Sequence, residues 1–374
     1  MLLPEPRCRR LLMSRVFRPG GKGRVRRRWS LCLGLALLAV PAAAAAGEAS
    51  ASAAAAPLLP NLLVDSRGNR IVTRTAWTRQ REELLRQWRE VLGTLPKRKP
   101  ALETEILETD EQPGFTRQHI RYQVEPGVNS DGYLLLPAGR KGLGPAVVVF
   151  HPTTPFGPRG VAGLEPSYEE AKWQGVHLVQ RGYVVWCPRN YINTEGADWA
   201  GNASRVKQRH PDWTGITRMV WDAIRAVDFL ESLPQVDPKR IGCLGHSLGA
   251  KVVLYAMAFD PRYQAGVSSE GGIGLRFSNW DAVWYLGPQI RKADFKLENH
   301  TVLALVAPRP FLLIGGDSAD SDRSLAFLDA VRPVYDLWDA GNRLQWLNHR
   351  QGHRYPAEAR AAAEAFLDQY LKPR

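Results

Sequence analysis

The segment Gly245-His246-Ser247-Leu248-Gly249 is the motif in this chain whose chemistry is most specific. Apolar residues precede it, and a helix-forming run from Ala250 to Ala258 follows it. A serine in Gly-x-Ser-x-Gly between a strand and a helix is typical of a nucleophile elbow, a tight turn that exposes the hydroxyl. The glycines are needed because a side chain at either position would collide with the neighbouring strand or helix. The motif predicts that Ser247 is a nucleophile.

A serine hydroxyl is a weak nucleophile near neutral pH, so it needs a general base and a carboxylate that orients this base. In this arrangement the residues follow one another in the order serine, acid, histidine. His353 follows the last strand-like run and leads into the final helix, so we predict that it is the base. His349 lies nearer the strand end and is the weaker alternative, with a hydrogen bond inside the loop as its other role.

Three carboxylates compete for the position next to His353. Asp317 and Asp320 follow the strand-like run that ends at Ile314, and the chain order favours Asp320, with Asp317 second. Glu270 follows the preceding strand-like run, among glycines that belong at the active edge of such a sheet. We predict Asp320 as the partner and keep Glu270 open as the alternative.

The negative oxygen that forms during attack on an acyl group needs two preorganised donors. One is expected to be the backbone N–H of Leu248, directly after the nucleophile. The other is expected from the loop after the strand-like run 146–150, where Thr153 is favoured because Pro152 has no N–H. His151 in the same loop is a candidate substrate contact, with holding the loop as an equal alternative.

The pattern of apolar residues indicates the elements that position these groups. An amphipathic helix over 77–92 is followed by three strand-like runs that open a sheet in antiparallel fashion, and further strand-like runs then alternate with helices. Continuous apolar strands between helices indicate a parallel sheet covered on both faces. The opening strands are 104–107, 116–124 and 132–137; the later ones are 146–150, 183–186, 242–244, 265–267, 311–314 and 344–347. With the elbow, this predicts an α/β-hydrolase fold with a mostly parallel central sheet and a short cap-like insertion after the sixth strand.

The insertion lies between Leu275 and His300 and carries Trp280 and Trp284. Both side chains suit stacking on an apolar or sugar face, so we predict that they contact the substrate, with ordinary packing as the alternative. A second aromatic-bearing segment, residues 191–213, is expected to form the opposite wall.

Charge is distributed unevenly along the chain. The formal net charge is +13, of which residues 1–47 contribute +9 and the remainder only +4. The basic character therefore belongs to the leader, and the rest of the chain has no run typical of a nucleic-acid-binding surface.

The leader has the pattern of an export signal. Arginines at 24–28 precede an apolar run at 31–40, and the alanines at 42–46 offer small-residue cleavage sites. We predict an export signal peptide over 1–47, a linker over 48–75 and a hydrolase domain over 76–374. The protein is then periplasmic or secreted, without stable membrane association once the signal is removed.

The sequence does not indicate a metal site or a redox-active cysteine pair. Beyond the leader the cysteines are Cys187 and Cys243, each beside an apolar strand-like run, and both are predicted to be buried thiols. Histidine and cysteine clusters with the spacing of metal ligands do not occur, so we expect no metal and no organic cofactor.

Several motifs resemble the dienelactone hydrolase and acetyl xylan esterase group of the α/β-hydrolases. The resemblance covers roughly residues 100–372, and the motifs that carry it are at 133–137, 150–152, 245–249 and 307–310. Dienelactone hydrolases proper use a cysteine nucleophile, whereas this chain has a serine. The resemblance implies a hydrolase that acts on esters.

A narrower resemblance is to the glucuronoyl esterases. Their elbow has a lysine four residues after the serine, where Lys251 stands, and they carry a run similar to residues 300–310. They also carry Glu-Ser-Gly near the position of Glu270. The arginine that follows their serine is Leu248 here, and the glycine spacing differs. The resemblance implies that Lys251 binds substrate, and it strengthens Glu270 as the acid.

The expected function is hydrolysis of a carboxylic ester through a Ser-His-acid triad and an acyl-enzyme, with a carbohydrate ester as the substrate class that the resemblance implies. One alternative is a peptidase of the acyl-peptide hydrolase type, although these carry an additional propeller domain for which we expect no counterpart here. The other is a hydrolase fold used only for binding. The complete order of serine, acid and histidine favours the enzyme.

Overall fold

The computed structural model describes residues 59–372. The predicted export signal over 1–47 and the first part of the predicted linker lie outside these residues. Within residues 59–372, the helices are all too short or too polar to cross a membrane.

Strands and helices alternate along the described chain much as the apolar pattern predicts. The strands are β1 Glu105–Gln112, β2 Phe115–Glu125, β3 Val128–Pro137, β4 Gly144–Phe150, β5 Val184–Pro188, β6 Val236–His246, β7 Tyr263–Ser269, β8 Phe311–Gly315 and β9 Leu344–Asn348. The helices are α1 Arg74–Leu92, α2 Pro158–Val161, α3 Gln174–Gln180, α4 Trp199–Arg209, α5 Gly215–Glu231, α6 Leu248–Phe259, α7 Asn299–Val306, α8 Leu325–Asp336 and α9 Ala357–Leu371.

The strands form one sheet in the order β1-β2-β3-β5-β4-β6-β7-β8-β9. The pairs from β1 to β5 are antiparallel, and those from β5 through β4 to β9 are parallel. Strand order reverses at β4, which has β5 on one side and β6 on the other. In open α/β sheets, ligands bind at the carboxyl ends of the strands beside such a reversal. The fold is therefore that of an α/β-hydrolase, as predicted.

Two hydrophobic cores flank the sheet, and successive residues of a buried strand point alternately into them. In β4, Ala146, Val148 and Phe150 pack into the core that includes residues of α5 and α6. Val147 and Val149 pack into the opposite core, which includes residues of α3 and α9. A strand buried on both faces is apolar throughout, which explains why its period-two alternation is invisible in the sequence.

Two boundaries differ from the sequence-based expectation. Leu62 and Ile71 are buried in the first core, so the prediction of a linker up to residue 75 is wrong for this stretch. Helix α1 begins at Arg74, where the side chain of Thr73 accepts a hydrogen bond from the first turn and caps it. The cap-like insertion follows β7, the seventh strand rather than the sixth.

Candidate active site

Ser247 occupies the turn between β6 and α6. Its φ of +57° lies in a region that side-chain-bearing residues rarely adopt, and its N–H donates to the carbonyl of Ser269 at 2.8 Å. A Cβ at Gly245 would lie 2.3 Å from the backbone of Gly249, and one at Gly249 would lie 1.9 Å from the carbonyl oxygen of Phe150. The turn closes because both positions are glycine, as the motif predicts.

His353 bridges the serine and a carboxylate. Its Nε2 lies 2.8 Å from Ser247 Oγ, and its Nδ1 lies 3.0 Å from Glu270 Oε2. Because a carboxylate accepts, Nδ1 carries the proton and Nε2 is left to accept from the hydroxyl. The His353 side chain is 40% exposed whereas that of Glu270 is fully buried, so the line of hydrogen bonds runs from the interior to an open surface.

Backbone donors of the loop after β8 hold the Glu270 carboxylate. Gly316 N–H donates to Oε1, Ala319 N–H donates to Oε2 at 2.9 Å, and Asp320 N–H donates to Oε1 at 3.3 Å. Hydrogen bonds from three N–H groups of one loop fix the orientation of the carboxylate. Glu270 is thus aimed at His353 by the loop on which the acid was expected.

The expectation that Asp320 orients His353 is corrected by this geometry. His353 Nδ1 bonds to Glu270, whereas the Asp320 carboxylate accepts hydrogen bonds from the N–H groups of Gly272 and Ile273, both at 2.7 Å, and from Ser324 Oγ at 2.9 Å. Burial raises the pKa of this carboxyl. The structure therefore gives Asp320 the position of a loop anchor.

The two weaker alternatives lie outside the hydrogen-bonded line. Asp317 bonds to Asn348 and lies 3.6 Å from Arg350 near the surface. His349 is buried and accepts a hydrogen bond from Gln351 N–H at 3.2 Å, the loop role that was its alternative.

The candidate oxyanion donors lie on the two segments beside Ser247. Leu248 opens α6, so its N–H belongs to the first turn, where backbone donors have no partner within the helix. Thr153 follows β4, whose last residue Phe150 pairs with Gly245 of β6.

His151 does not offer a ring nitrogen to a substrate. Its Nε2 accepts from Asn190 N–H at 3.0 Å, and its Nδ1 donates to the carbonyl of Pro152 at 2.8 Å. Burial lowers its pKa to about 4, so the ring is neutral near pH 7. The prediction of a substrate contact is wrong here, because Nδ1 bonds within the loop after β4 and Nε2 ties this loop to the segment after β5.

Lys251 is 4% exposed, and its ammonium group is enclosed by the cap. The Nζ donates to the carbonyl of Gly271 and to Ser278 Oγ, and it lies 4.9 Å from the ring centre of Trp280 and 5.2 Å from that of Tyr285. Burial lowers its pKa to about 7. Both hydrogen-bond acceptors belong to the segment after β7, and the substrate contact that the resemblance implies stays a prediction.

The two tryptophans of the cap have different surroundings. Trp280 is buried and donates from Nε1 to the carbonyl of Gly272 at 2.7 Å, so the substrate contact predicted for it is wrong. Trp284 is only half-buried and lies edge-on to Trp199 of α4, with ring centres 5.6 Å apart.

Sequence reasoning missed the backbone donors at Gly316 and Ala319. The only sequence feature that could have indicated these donors is the pair Gly315-Gly316, which marks a close approach of two backbone segments. A Cβ at Gly316 would lie 2.2 Å from the carbonyl oxygen of Gly352. Among residues 59–372, no group of three or more His, Cys, Asp or Glu side chains is arranged to hold a metal ion. Burial raises the pKa of the Cys187 and Cys243 thiols, so both are inert.

Fold and site together define an α/β-hydrolase with a serine at the nucleophile elbow. The sequence profile of the prolyl oligopeptidase family matches residues 170–374, more than half of the chain. The protein belongs to this family.

Individual relatives are more distant. YtaP of Bacillus subtilis (strain 168) is 25% identical over 306 residues, which cover 78% of this chain and all of YtaP. A 4-O-methyl-glucuronoyl methylesterase of Podospora anserina is 28% identical over 281 residues, 65% of this chain and about half (52%) of that enzyme. The structure of a glucuronoyl esterase from Solibacter usitatus superposes with a TM-score of 0.70 at 22% identity, covering 84% of this chain and 98% of the other.

Proposed function

We propose that this protein is an exported serine esterase that cleaves a carboxylic ester carried by a carbohydrate. The observation that carries the proposal is the line of hydrogen bonds from Ser247 through His353 to Glu270, with distances of 2.8 and 3.0 Å. The first distance is short enough for His353 to take the proton of the serine, and the second is short enough for Glu270 to hold the ring in place.

The reaction begins when Ser247 Oγ attacks the acyl carbon and passes its proton to His353 Nε2. The new C–O bond converts the carbonyl into a tetrahedral oxyanion, and the N–H groups of Leu248 and Thr153 are proposed to stabilise it. Glu270 stabilises the imidazolium while keeping its own charge.

Collapse of the oxyanion breaks the ester C–O bond, and His353 returns its proton to the departing alcohol. The acyl group is then held on Ser247 Oγ. Water attacks this acyl-enzyme, gives one proton to His353 and releases the acid, after which Oγ recovers the proton. The cycle consumes one water and yields one alcohol and one acid, so it needs no metal or cofactor.

The names of the relatives support a carbohydrate ester as the substrate. A 4-O-methyl-glucuronoyl methylesterase and a carbohydrate esterase both match this chain at 26–28% identity. The test is a hydrolysis screen of acetylated xylan, methyl esters of glucuronic acid and short p-nitrophenyl esters, with Ser247→Ala as the control. Turnover of none of these by the parent protein would refute the proposal.

A peptidase is the second candidate, because the family takes its name from an oligopeptidase. Peptide p-nitroanilides in the same screen distinguish the two, since a peptidase is expected to cleave these amides and an esterase is expected to leave them intact. A fluorophosphonate probe labels either enzyme at Ser247, whereas a binding protein with this fold would stay unlabelled.

Export is proposed from the leader alone. A basic segment, an apolar run and small residues over 1–47 support a cleaved signal and a periplasmic or secreted location.

A further inference from the structure

An open groove lies between the segment after β5 and the cap. It holds about 610 Å³, and its lining includes Asn193, Thr194, Glu195, Asp198, Trp199 and Trp284. We call it the aromatic groove. A second depression of about 360 Å³ lies between α4 and residues 283–289, and Ala200 lines both. Together the two depressions offer space for a ligand that is longer than a single sugar or aromatic ring.

The groove combines aromatic faces with hydrogen-bonding groups. Trp199 is 39% exposed, and the planes of Trp199 and Trp284 meet at 71°. Thr194, Glu195 and Asp198 are exposed along the same wall. A pyranose has an apolar C–H face that packs on an indole and a rim of hydroxyls that donate to carboxylates. An aromatic alcohol would fill the same faces but leave the carboxylates without donors.

One wall of the aromatic groove is attached to the loop that carries Thr153, and the other wall is attached to the first. Asn193 Nδ2 donates to the carbonyl of Thr154 at 2.8 Å. Tyr191 joins the walls by donating to the carbonyl of Trp284 at 3.0 Å. Because this loop follows β4, which pairs with the strand that precedes Ser247, the groove lies at the same edge of the sheet as the candidate reaction centre.

We propose that the aromatic groove binds neutral pyranose units of an oligosaccharide whose esterified unit lies at Ser247. This inference rests on the proposed esterase function and deepens it, because it assigns substrate recognition to Trp199, a residue outside the hydrogen-bonded line. The groove would then discriminate a polymer-borne ester from a free sugar ester.

The first test compares two substrates, a glucuronate methyl ester carried on a xylo-oligosaccharide and the methyl ester of free glucuronic acid. In Trp199→Ala, the ratio of kcat/KM for the first to that for the second is expected to fall about 5–20-fold. Trp199→Phe keeps an aromatic face and is expected to retain most of the ratio. Leu143→Ala removes an exposed apolar side chain just before β4, at the opposite edge of the sheet, and serves as the matched control.

The second test does not need turnover. Xylotetraose is titrated into the full chain carrying Ser247→Ala, with and without Trp199→Ala, and tryptophan fluorescence and calorimetry are followed. Saturable binding that weakens at least about fivefold without the indole supports the groove, even if the ester chemistry proves wrong. Absence of xylotetraose binding, equal affinity in both proteins, or a Trp199 dependence of the benzyl ester of free glucuronic acid that its methyl ester lacks would overturn it.

Discussion

Glu270 and Asp320 each hold the loop that carries the other. The Glu270 carboxylate accepts N–H groups of residues 316, 319 and 320, and the Asp320 carboxylate accepts those of residues 272 and 273. The two loops follow β7 and β8, which are parallel neighbours. The acid that faces His353 is therefore supported by the acid that does not.

This reciprocity predicts unequal effects of two conservative substitutions. Glu270→Gln is expected to lower kcat on a short ester by about 10⁴, because an amide at Nδ1 favours the wrong tautomer of His353. Asp320→Asn is expected to cost less than about 10² in kcat, because its effect on His353 is transmitted through the loop. Steady-state kinetics measures kcat for both variants. An equal loss in kcat would contradict the assignment of Glu270 as the acid that orients His353.

Asp320 is expected to matter more for stability. Replacing it with Ala leaves the N–H groups of Gly272 and Ile273 without their acceptor, which should cost about 1–3 kcal/mol in the free energy of unfolding. Urea unfolding measures this. Asp329→Ala, at an exposed carboxylate of α8, is the control and should change stability by less than about 0.5 kcal/mol.

The buried ammonium group of Lys251 is expected to make the stability of the protein depend on pH. Burial lowers its pKa from 10.5 to about 7, so between these pH values the unfolded chain binds more protons than the folded protein. The contribution of this group to the free energy of unfolding therefore rises with pH across that window, with a slope of at most about 1.4 kcal/mol per pH unit. In Lys251→Met the contribution is absent.

Urea unfolding of both proteins at pH 7, 8 and 9 checks this. The difference in stability between the parent and Lys251→Met should move in favour of the parent as pH rises. Lys239→Met, at an exposed lysine, reports the effect of removing a solvated charge. A difference that is flat in pH for Lys251→Met would show that the ammonium group is not desolvated.

The elbow predicts a contrast between two glycines. Gly249→Ala places a Cβ against the backbone of Phe150 at 1.9 Å, and backbone cannot move aside cheaply, so we expect a loss of at least ~3 kcal/mol and of activity. Gly139 also has a special conformation, with φ +69°, but a Cβ there meets open space. Gly139→Ala should therefore cost only about 1–2 kcal/mol. Thermal unfolding compares the stability of the two variants. Similar losses of stability in Gly249→Ala and Gly139→Ala would refute the steric explanation.

The leader predicts processing of the chain on export. Expressed in its own cell type, the protein is expected outside the cytoplasm with an N-terminus between Ala44 and Ser52. N-terminal sequencing of the recovered protein measures this. Recovery from the cytoplasm with Met1 intact would exclude the signal.

The elements of this fold could be predicted because their causes are local. A strand buried on both faces must be apolar throughout, and the tight turn after β6 needs glycine on both sides of Ser247. The strand–elbow–helix order and the alternation of strands with helices therefore follow from the residues themselves. The candidate pair of Ser247 and His353 follows from chain order along such a sheet.

Tertiary structure alone decided which groups meet. Glu270 and Asp320 both follow parallel strands, and the choice between them depends on which carboxylate turns toward His353 once three loops pack together. Asn190, which bonds to His151, and Gly271 and Ser278, which bond to Lys251, lie 20 to 39 residues away along the chain, so local spacing carries no information about them. The direction in which each carboxylate points is set by the packing of all the loops at this edge of the sheet, and the sequence near Glu270 or Asp320 does not specify it.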